Sequence, residues 1–278
     1  MNKKMWIIVV LLTLIVGGVT IYKQLINNYE NDELILHVFN AGKADSMLLY
    51  NENFAVLIDT GEEELGNTIL EYLKEVNIEK IDYLIITHFD KDHVGGASQI
   101  INNIEIGMIL QSNYPKDSKS YNKYLEAIEN NGIKVTTVTK ELSFNFGDIK
   151  FAIDGADEKE YDDKPSNNSS LITRVLFKDN SLLFMGDAED LRISEFLNDN
   201  EETYDFIKIP YHGHYQENLE ELIKNINPKY AVITSSDEEK EDEVTLDILS
   251  KYNVSTYLAR DGELDIIFDG FNIAVNQN

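Results

Sequence analysis

The chain has no cysteine, so disulfides, thiolate metal sites and thiol nucleophiles are excluded, and any metal must be held by nitrogen and oxygen. The same absence leaves the compartment unassigned by redox chemistry. Basic residues are scarce: 24 Lys and Arg face 50 Asp and Glu, a formal charge of -26. So acidic a surface repels phosphate backbones, whose binding relies on lysine and arginine displacing counterions, and tight nonspecific binding of nucleic acid is not expected. Histidine is rare as well, with five in 278 residues. No internal repeat or low-complexity tract occurs. Against these absences, 43% of the residues are hydrophobic, enough for a sizeable core in one large domain.

Residues 1–32 differ from the rest. Lys3 and Lys4 precede an apolar run over 5–22, interrupted only by Gly17, Gly18, Thr13 and Thr20. Such a run is long enough to cross a bilayer as a helix. The lysines before it and the acids Glu30, Asp32 and Glu33 after it put the amino terminus in the cytoplasm and the domain outside. The expected organisation is a membrane anchor and linker over 1–32 and one domain over 33–278, located at the cell membrane as a single-pass protein. Secretion after signal cleavage is the alternative, although the small-x-small pattern around Gly18 is poor.

From residue 33 the pattern turns to short strands: 34–39, 46–50 and 54–58, an antiparallel meander. After Asp59-Thr60-Gly61 the spacing of Ile69, Leu70, Leu73 and Val76 is helical, and the chain then alternates. Strands are expected at 83–87, 107–110, 134–138, 171–177, 182–185, 206–209, 230–234 and 255–258, and helices at 121–130, 189–197, 219–226 and 244–252. A closing strand pair, 264–268 and 271–275, turns at Asp269-Gly270. This is an α/β chain with two sheets and helices on their outer faces. The polar segment 155–170 has no periodicity and is long for a loop, which makes it either functional or disordered.

Thr87-His88-Phe89-Asp90-Lys91-Asp92-His93 puts two imidazoles and two carboxylates into six residues directly after an apolar strand, a density that fits a metal site better than a solvated loop. Asp59, Asp187 and His212 likewise follow apolar runs, so all would emerge at one end of their sheets, where sites form in layered α/β folds. Four of the five histidines belong to this set or flank it. His37 lies inside a strand pattern and reads as a packed or surface histidine.

The ordered motifs Asp59-Thr60-Gly61, His88-x-Asp90-x-Asp92-His93-x-Gly95-Gly96, Asn167-Asn168-x-Ser170-Leu171, Gly186-Asp187 and Pro210-Tyr211-His212-Gly213 resemble the metallo-β-lactamase superfamily. More narrowly they resemble the ComEC-like branch, which holds the hydrolase domain of DNA-uptake channels and the surface phosphorylcholine esterases. Residues 39–46 are similar to that branch's opening motif. The resemblance implies an αββα sandwich with two divalent ions, zinc or manganese, between the sheets. It implies a complete second site of Asp92, His93 and His212, with Asp187 bridging to a first site of His88 and Asp90. The sequence departs from the commonest pattern at Asp90, where a histidine is usual, and at Asn167-Asn168-Ser169-Ser170, where a further histidine would lie. The first site should therefore be weaker or select a harder ion.

Asp59 is either an acceptor that fixes a metal-bound histidine or an acid capping the turn before Gly61. Lys43 and Asp45 are placed on a loop at the site mouth, Asp45 as a group that orients ligands. Tyr211 and His214 flank a ligand and are candidates for substrate contact or, for His214, for protonating the leaving group. Asn167, Asn168 and Ser170 are candidates to bind substrate oxygens or hold their loop. The expected chemistry is hydrolysis by a metal-bound hydroxide, with Asp92 and Asp187 central to it. The leading expectation is a membrane-anchored extracellular phosphodiesterase acting on small-molecule or cell-surface phosphoesters. The alternatives are an extracellular nuclease of the DNA-uptake type and a non-catalytic surface binding domain of the same fold.

Overall fold

The computed structural model describes residues 33–157 and 161–278. Two mixed sheets face each other. The first has eight strands in the order β15-β14-β1-β2-β3-β4-β5-β6 and the second seven in the order β13-β12-β11-β10-β9-β8-β7. The strands of the first are β1 Leu34–Val38, β2 Met47–Asn51, β3 Phe54–Ile58, β4 Lys80–Ile86, β5 Glu105–Gln111, β6 Val135–Thr137, β14 Leu264–Phe268 and β15 Ile273–Gln277. The second contains β7 Leu142–Phe146, β8 Ile149–Asp154, β9 Ile172–Phe177, β10 Asn180–Phe184, β11 Phe206–Lys208, β12 Tyr230–Ile233 and β13 Ser255–Leu258.

In each sheet an antiparallel half meets a parallel half: β3 pairs antiparallel with β2 and parallel with β4, and β10 pairs antiparallel with β9 and parallel with β11. Alternate residues of the strands divide the apolar surface. Leu49, Val56, Ile58 and Ile85 meet Phe151, Val175, Phe184 and Phe206 between the sheets. The other face of the first sheet, Leu57, Leu84 and Ile86, packs on helices Leu65–Glu75, Ala97–Asn103 and Lys119–Asn131. Leu183, Ile207 and Ala231 of the second pack on Asp190–Asp199, Leu219–Ile226 and Glu243–Lys251. The result is an αββα sandwich.

One expected part of this fold is corrected. The transmembrane helix predicted within residues 1–32 lies outside the described residues. Among the described residues no helix is long and apolar enough to cross a membrane. The transmembrane helix is therefore withdrawn from the fold, and with it the single-pass localisation, the membrane as a partner and the membrane-anchored description of the enzyme.

Two smaller differences come from local sequence. Strands β7 and β8 form an antiparallel hairpin over a stretch for which no strand was expected, and its Phe144 and Phe146 stack on Tyr83 and Phe54 at centroid distances of 3.9 and 4.4 Å. Within the polar segment before Ser170, the described residues include a one-turn helix, Pro165–Asn168. It is held by the buried Arg192, whose guanidinium donates to the Ser170 carbonyl at 3.1 Å and to the Asp154 carboxylate at 2.8 Å.

Candidate metal centre

The parallel halves of both sheets end on the same side, and the chain turns sharply there. Asp59, Tyr211 and His212 take left-handed φ values of 56°, 49° and 52°, a conformation that costs an L-residue about 1–2 kcal/mol. Gly186 has φ +52°, and a Cβ there would come within 3.0 Å of Thr87, so glycine lets the Asp187 turn close against the His88 loop. These turns bring together groups from both sheets.

Asp92, His93, Asp187 and His212 offer donor atoms that all lie within 4.8 Å of one another. The Asp187 Oδ2 is 3.3 Å from His93 Nε2, 3.2 Å from His212 Nε2 and 4.0 Å from His88 Nε2. Asp92 Oδ2 is 3.5 Å from His212 Nε2. All but Asp92 are buried.

The outer nitrogens fix which way each ring is presented. His93 Nδ1 donates to Asp59 Oδ2 at 2.8 Å. His212 Nδ1 faces the Thr234 carbonyl at 3.0 Å, which can only accept. Thr87 Oγ1 donates to Asp59 at 2.6 Å and so accepts from His88 Nδ1 at 3.2 Å. In its neutral form each ring therefore keeps its proton on Nδ1 and turns the Nε2 lone pair inward. The three Nε2 atoms and Asp187 Oδ1 are buried without hydrogen-bond partners, an arrangement that normally carries a penalty of about 1–3 kcal/mol per group. A divalent cation would meet the His93 and His212 Nε2 atoms together with Asp92 and Asp187, and two imidazoles with two carboxylates suit one. The residues present fit a divalent metal cofactor.

Electrostatics agree. Burial and the neighbouring His93 lower His88 to about 4. Burial opposes charge on His212 too, but the Asp187 and Asp92 carboxylates outweigh it and raise the ring to about 9. His93 is raised well above 6.5, against burial, by Asp187 and Asp59. Without metal, protons therefore sit where the ion belongs. A folded-state pKa above the unfolded one adds stability below about pH 6.5 that is lost as pH rises through 9. Metal-free protein should thus melt progressively lower between these limits. Metal uptake at pH 7.5 should release protons, measurable as a calorimetric enthalpy that varies with the buffer's ionisation heat.

The remaining sequence candidates divide by position. Asp45 is fully buried, not on the mouth, with Thr234 Oγ1 donating to it at 2.6 Å and His212 Nδ1 3.5 Å away. Lys43 is at the mouth, 2.7 Å from Glu239 and 6.0 Å from the Tyr211 ring. Asn168 is buried and ties its loop to Arg192 N at 3.1 Å, Asn167 donates to Glu189 at 2.7 Å, and Ser170 accepts from Asp187 N at 3.2 Å. His214 lies against Asp242 at 3.8 Å and the Tyr211 ring at 5.1 Å. Asp90 is 3.8 Å from His88 Nε2 and is held by Lys116 and Ser166.

Two lysines that no sequence motif marks join the site. Lys208 is completely buried. Its ammonium pairs with Asp45, donates to the Gly186 carbonyl at 3.1 Å and lies 3.8 Å from Asp187 Oδ1. Lys116 lines a groove of about 500 Å³ with Asp90, Tyr114, Lys164, Ser166 and Tyr211.

The family model for the metallo-beta-lactamase superfamily matches residues 40–235. The chain belongs to that superfamily. With the buried Asp/His cluster, membership makes the protein a metal-dependent hydrolase. Among its superfamily relatives, ComE operon protein 3 of Bacillus subtilis is 26% identical over 219 residues, covering 71% of this chain and 28% of that protein. Competence protein ComA of Neisseria gonorrhoeae is 26% identical over 208 residues, 73% of this chain and 27% of that one. The chain thus spans under a third of the length of these relatives. The solved metallo-beta-lactamase fold protein YhfI of Bacillus subtilis superposes with a TM-score of 0.60 at 10% identity, over 84% of this chain and all of that one, a likeness of fold alone.

Proposed function

We propose that this superfamily member hydrolyses phosphodiester bonds in a nucleic-acid strand, as a hydrolase unit of the kind carried by competence proteins. The observation that carries the reading is the groove beside the metal centre. In a chain of charge -26, Lys116 and Lys164 line it and Lys43 stands near its Tyr211 wall. Asp90 and Asp117 line the same groove and Glu239 pairs with Lys43, so in a chain of this acidity the groove is a locally neutral stretch whose ammonium groups phosphates would meet. Weak similarity to competence proteins supports the same substrate class.

Asp92, His93, Asp187 and His212 would hold the ion, which when bound supplies Lewis acidity and an acidified water. Two imidazoles with two carboxylates suit either zinc or manganese. Asp59 and the Thr234 carbonyl keep two of the rings in register, and the rim lysines hold the strand so that one phosphate faces the centre. As water oxygen bonds to phosphorus, the phosphorus–oxygen bond to the leaving sugar breaks, and His214, beyond Tyr211, is the candidate to protonate that oxygen.

The test is cleavage of labelled single-stranded oligonucleotide by full-length protein with manganese, blocked by EDTA. Three lysines at the rim predict a binding slope against log salt of roughly -2 for a single strand. Turnover of phosphocholine or bis(4-nitrophenyl) phosphate without any cleavage of nucleic acid would overturn the substrate class.

A further inference from the structure

The His88 and Asp90 half of the expected two-ion centre is built differently from the half around Asp92, His93 and His212. Asp90 lies outside the four-donor cluster. Its Oδ1, the atom that faces His88 Nε2 at 3.8 Å, is the same atom that receives both the Lys116 ammonium and the Ser166 hydroxyl. Those two partners come from different elements, the loop after β5 and the one-turn helix Pro165–Asn168. The one-turn helix is anchored in turn, since Asn168 and the Ser170 carbonyl are tied to the buried Arg192.

We infer that the Lys116 ammonium is the permanent second cation of this centre: the protein holds one tightly bound divalent ion, and Lys116 occupies the charge position beside Asp90 that a second ion would fill. This rests on the reading of Asp92, His93, Asp187 and His212 as the site of the one ion.

Charge and valence make the case. Asp90 carries one negative charge, and Lys116 balances it. A dication entering between His88 and Asp90 must displace the ammonium or share the carboxylate with it, and the imidazole of His88 with a share of Asp187, whose Oδ2 is 4.0 Å from that ring and already faces His93 and His212, offers little in exchange. A lysine there also keeps a function the second ion would have served. Its ammonium is a rotatable point charge with three donors, it lines the groove, and its side chain is 34% exposed. It can donate to Asp90 and to a non-bridging phosphate oxygen together. Ser166 holds Asp90 against Lys116, so the pair is aimed at the groove.

Manganese binding to the metal-free full-length protein, followed by calorimetry and elemental analysis, tests this. Wild type should take up one tight equivalent. Lys116→Met should admit a second, with affinity at the second site at least tenfold tighter than in wild type. Lys116→Arg should stay at one, and Asp90→Asn should leave the first equivalent in place. Lys116→Gln is a second neutral variant should the methionine disturb folding, which circular dichroism reports. With one ion per chain, the neutral variants should lose at least tenfold in kcat/KM on the oligonucleotide. Two tight equivalents in wild type, or one in both neutral variants, overturn the inference and leave the four-donor site standing. No tight equivalent in wild type overturns the reading of that site itself.

Discussion

Lys208→Met is expected to destabilise the protein by about 3–5 kcal/mol, because it removes the ammonium paired with the buried Asp45 carboxylate and leaves it facing only the His212 and His93 rings, 3.5 and 3.9 Å away, which Asp187 already shares. Both side chains are fully buried and in contact. A native protein has only about 5–15 kcal/mol in total, so the variant should be poorly folded at 37 °C. The pair's own worth is a separate quantity. Removing both charges in Asp45→Asn/Lys208→Met should restore much of the loss, since Thr234 Oγ1 keeps an acceptor at position 45 and no isolated charge remains. Urea unfolding of the metal-free proteins measures this. A single variant within 1 kcal/mol of wild type would show that water or a rearranged loop already screens Asp45.

The lysine explains why the centre tolerates so many carboxylates. Asp45, Asp59 and Asp187 are buried with Asp92 at their edge, and among the described residues His93, His212 and Lys208 oppose them before any ion binds. Lys208 touches Asp45 on one side and the Asp187 turn on the other. It therefore joins the two sheets through charge at the place where their apolar contact ends.

How far such features can be read in advance depends on the range of the signal. The sandwich rests on local alternation, and strands β3, β13 and β14 coincide with the apolar runs that predict them because their neighbours break pattern sharply. Hairpin β7–β8 also alternates, Leu142, Phe144 and Phe146 against Ser143 and Asn145, with Gly147 at the turn. Its half-exposed positions dilute that contrast. The metal donors were legible because aspartate and histidine after an apolar strand have few other uses there. Lys208 was not. In Phe206-Ile207-Lys208-Ile209 both faces carry apolar residues, and lysine is almost never fully buried unless paired. Only the fold reveals that it shares Phe206's inward face and meets Asp45 in the loop that enters β2 of the opposite sheet. Lys116 was equally silent, lying in a polar loop whose partner, Asp90, is set by the approach of two connections. The apolar run over 5–22 shows the converse limit, since it is legible by itself while its structure falls outside the described residues.

Asp187→Asn should lower metal affinity by about 100-fold or more and take hydrolysis to background, while changing the volume of the side chain very little. The reasoning turns on its two oxygens. Oδ2 faces His93, His212 and His88, and Oδ1 faces Lys208, so the carboxylate is where the donor cluster meets the buried counter-charge. Its own pKa lies well below the usual range despite burial, because His212 and His93 favour the charged form. The amide removes that charge and places either a donor or a weak acceptor against the imidazoles. A second effect follows that needs no metal. Asp187 is the largest of the attractions that hold the His212 ring up near pH 9 against burial, so in the metal-free variant this imidazole should titrate clearly lower, as read by NMR of the ring protons. Loss of activity with the His212 titration unchanged would mean that the carboxylate acts on substrate and not on the histidines. Full activity with manganese still bound would remove Asp187 from the centre, and with it the link between the two sheets on which the site depends.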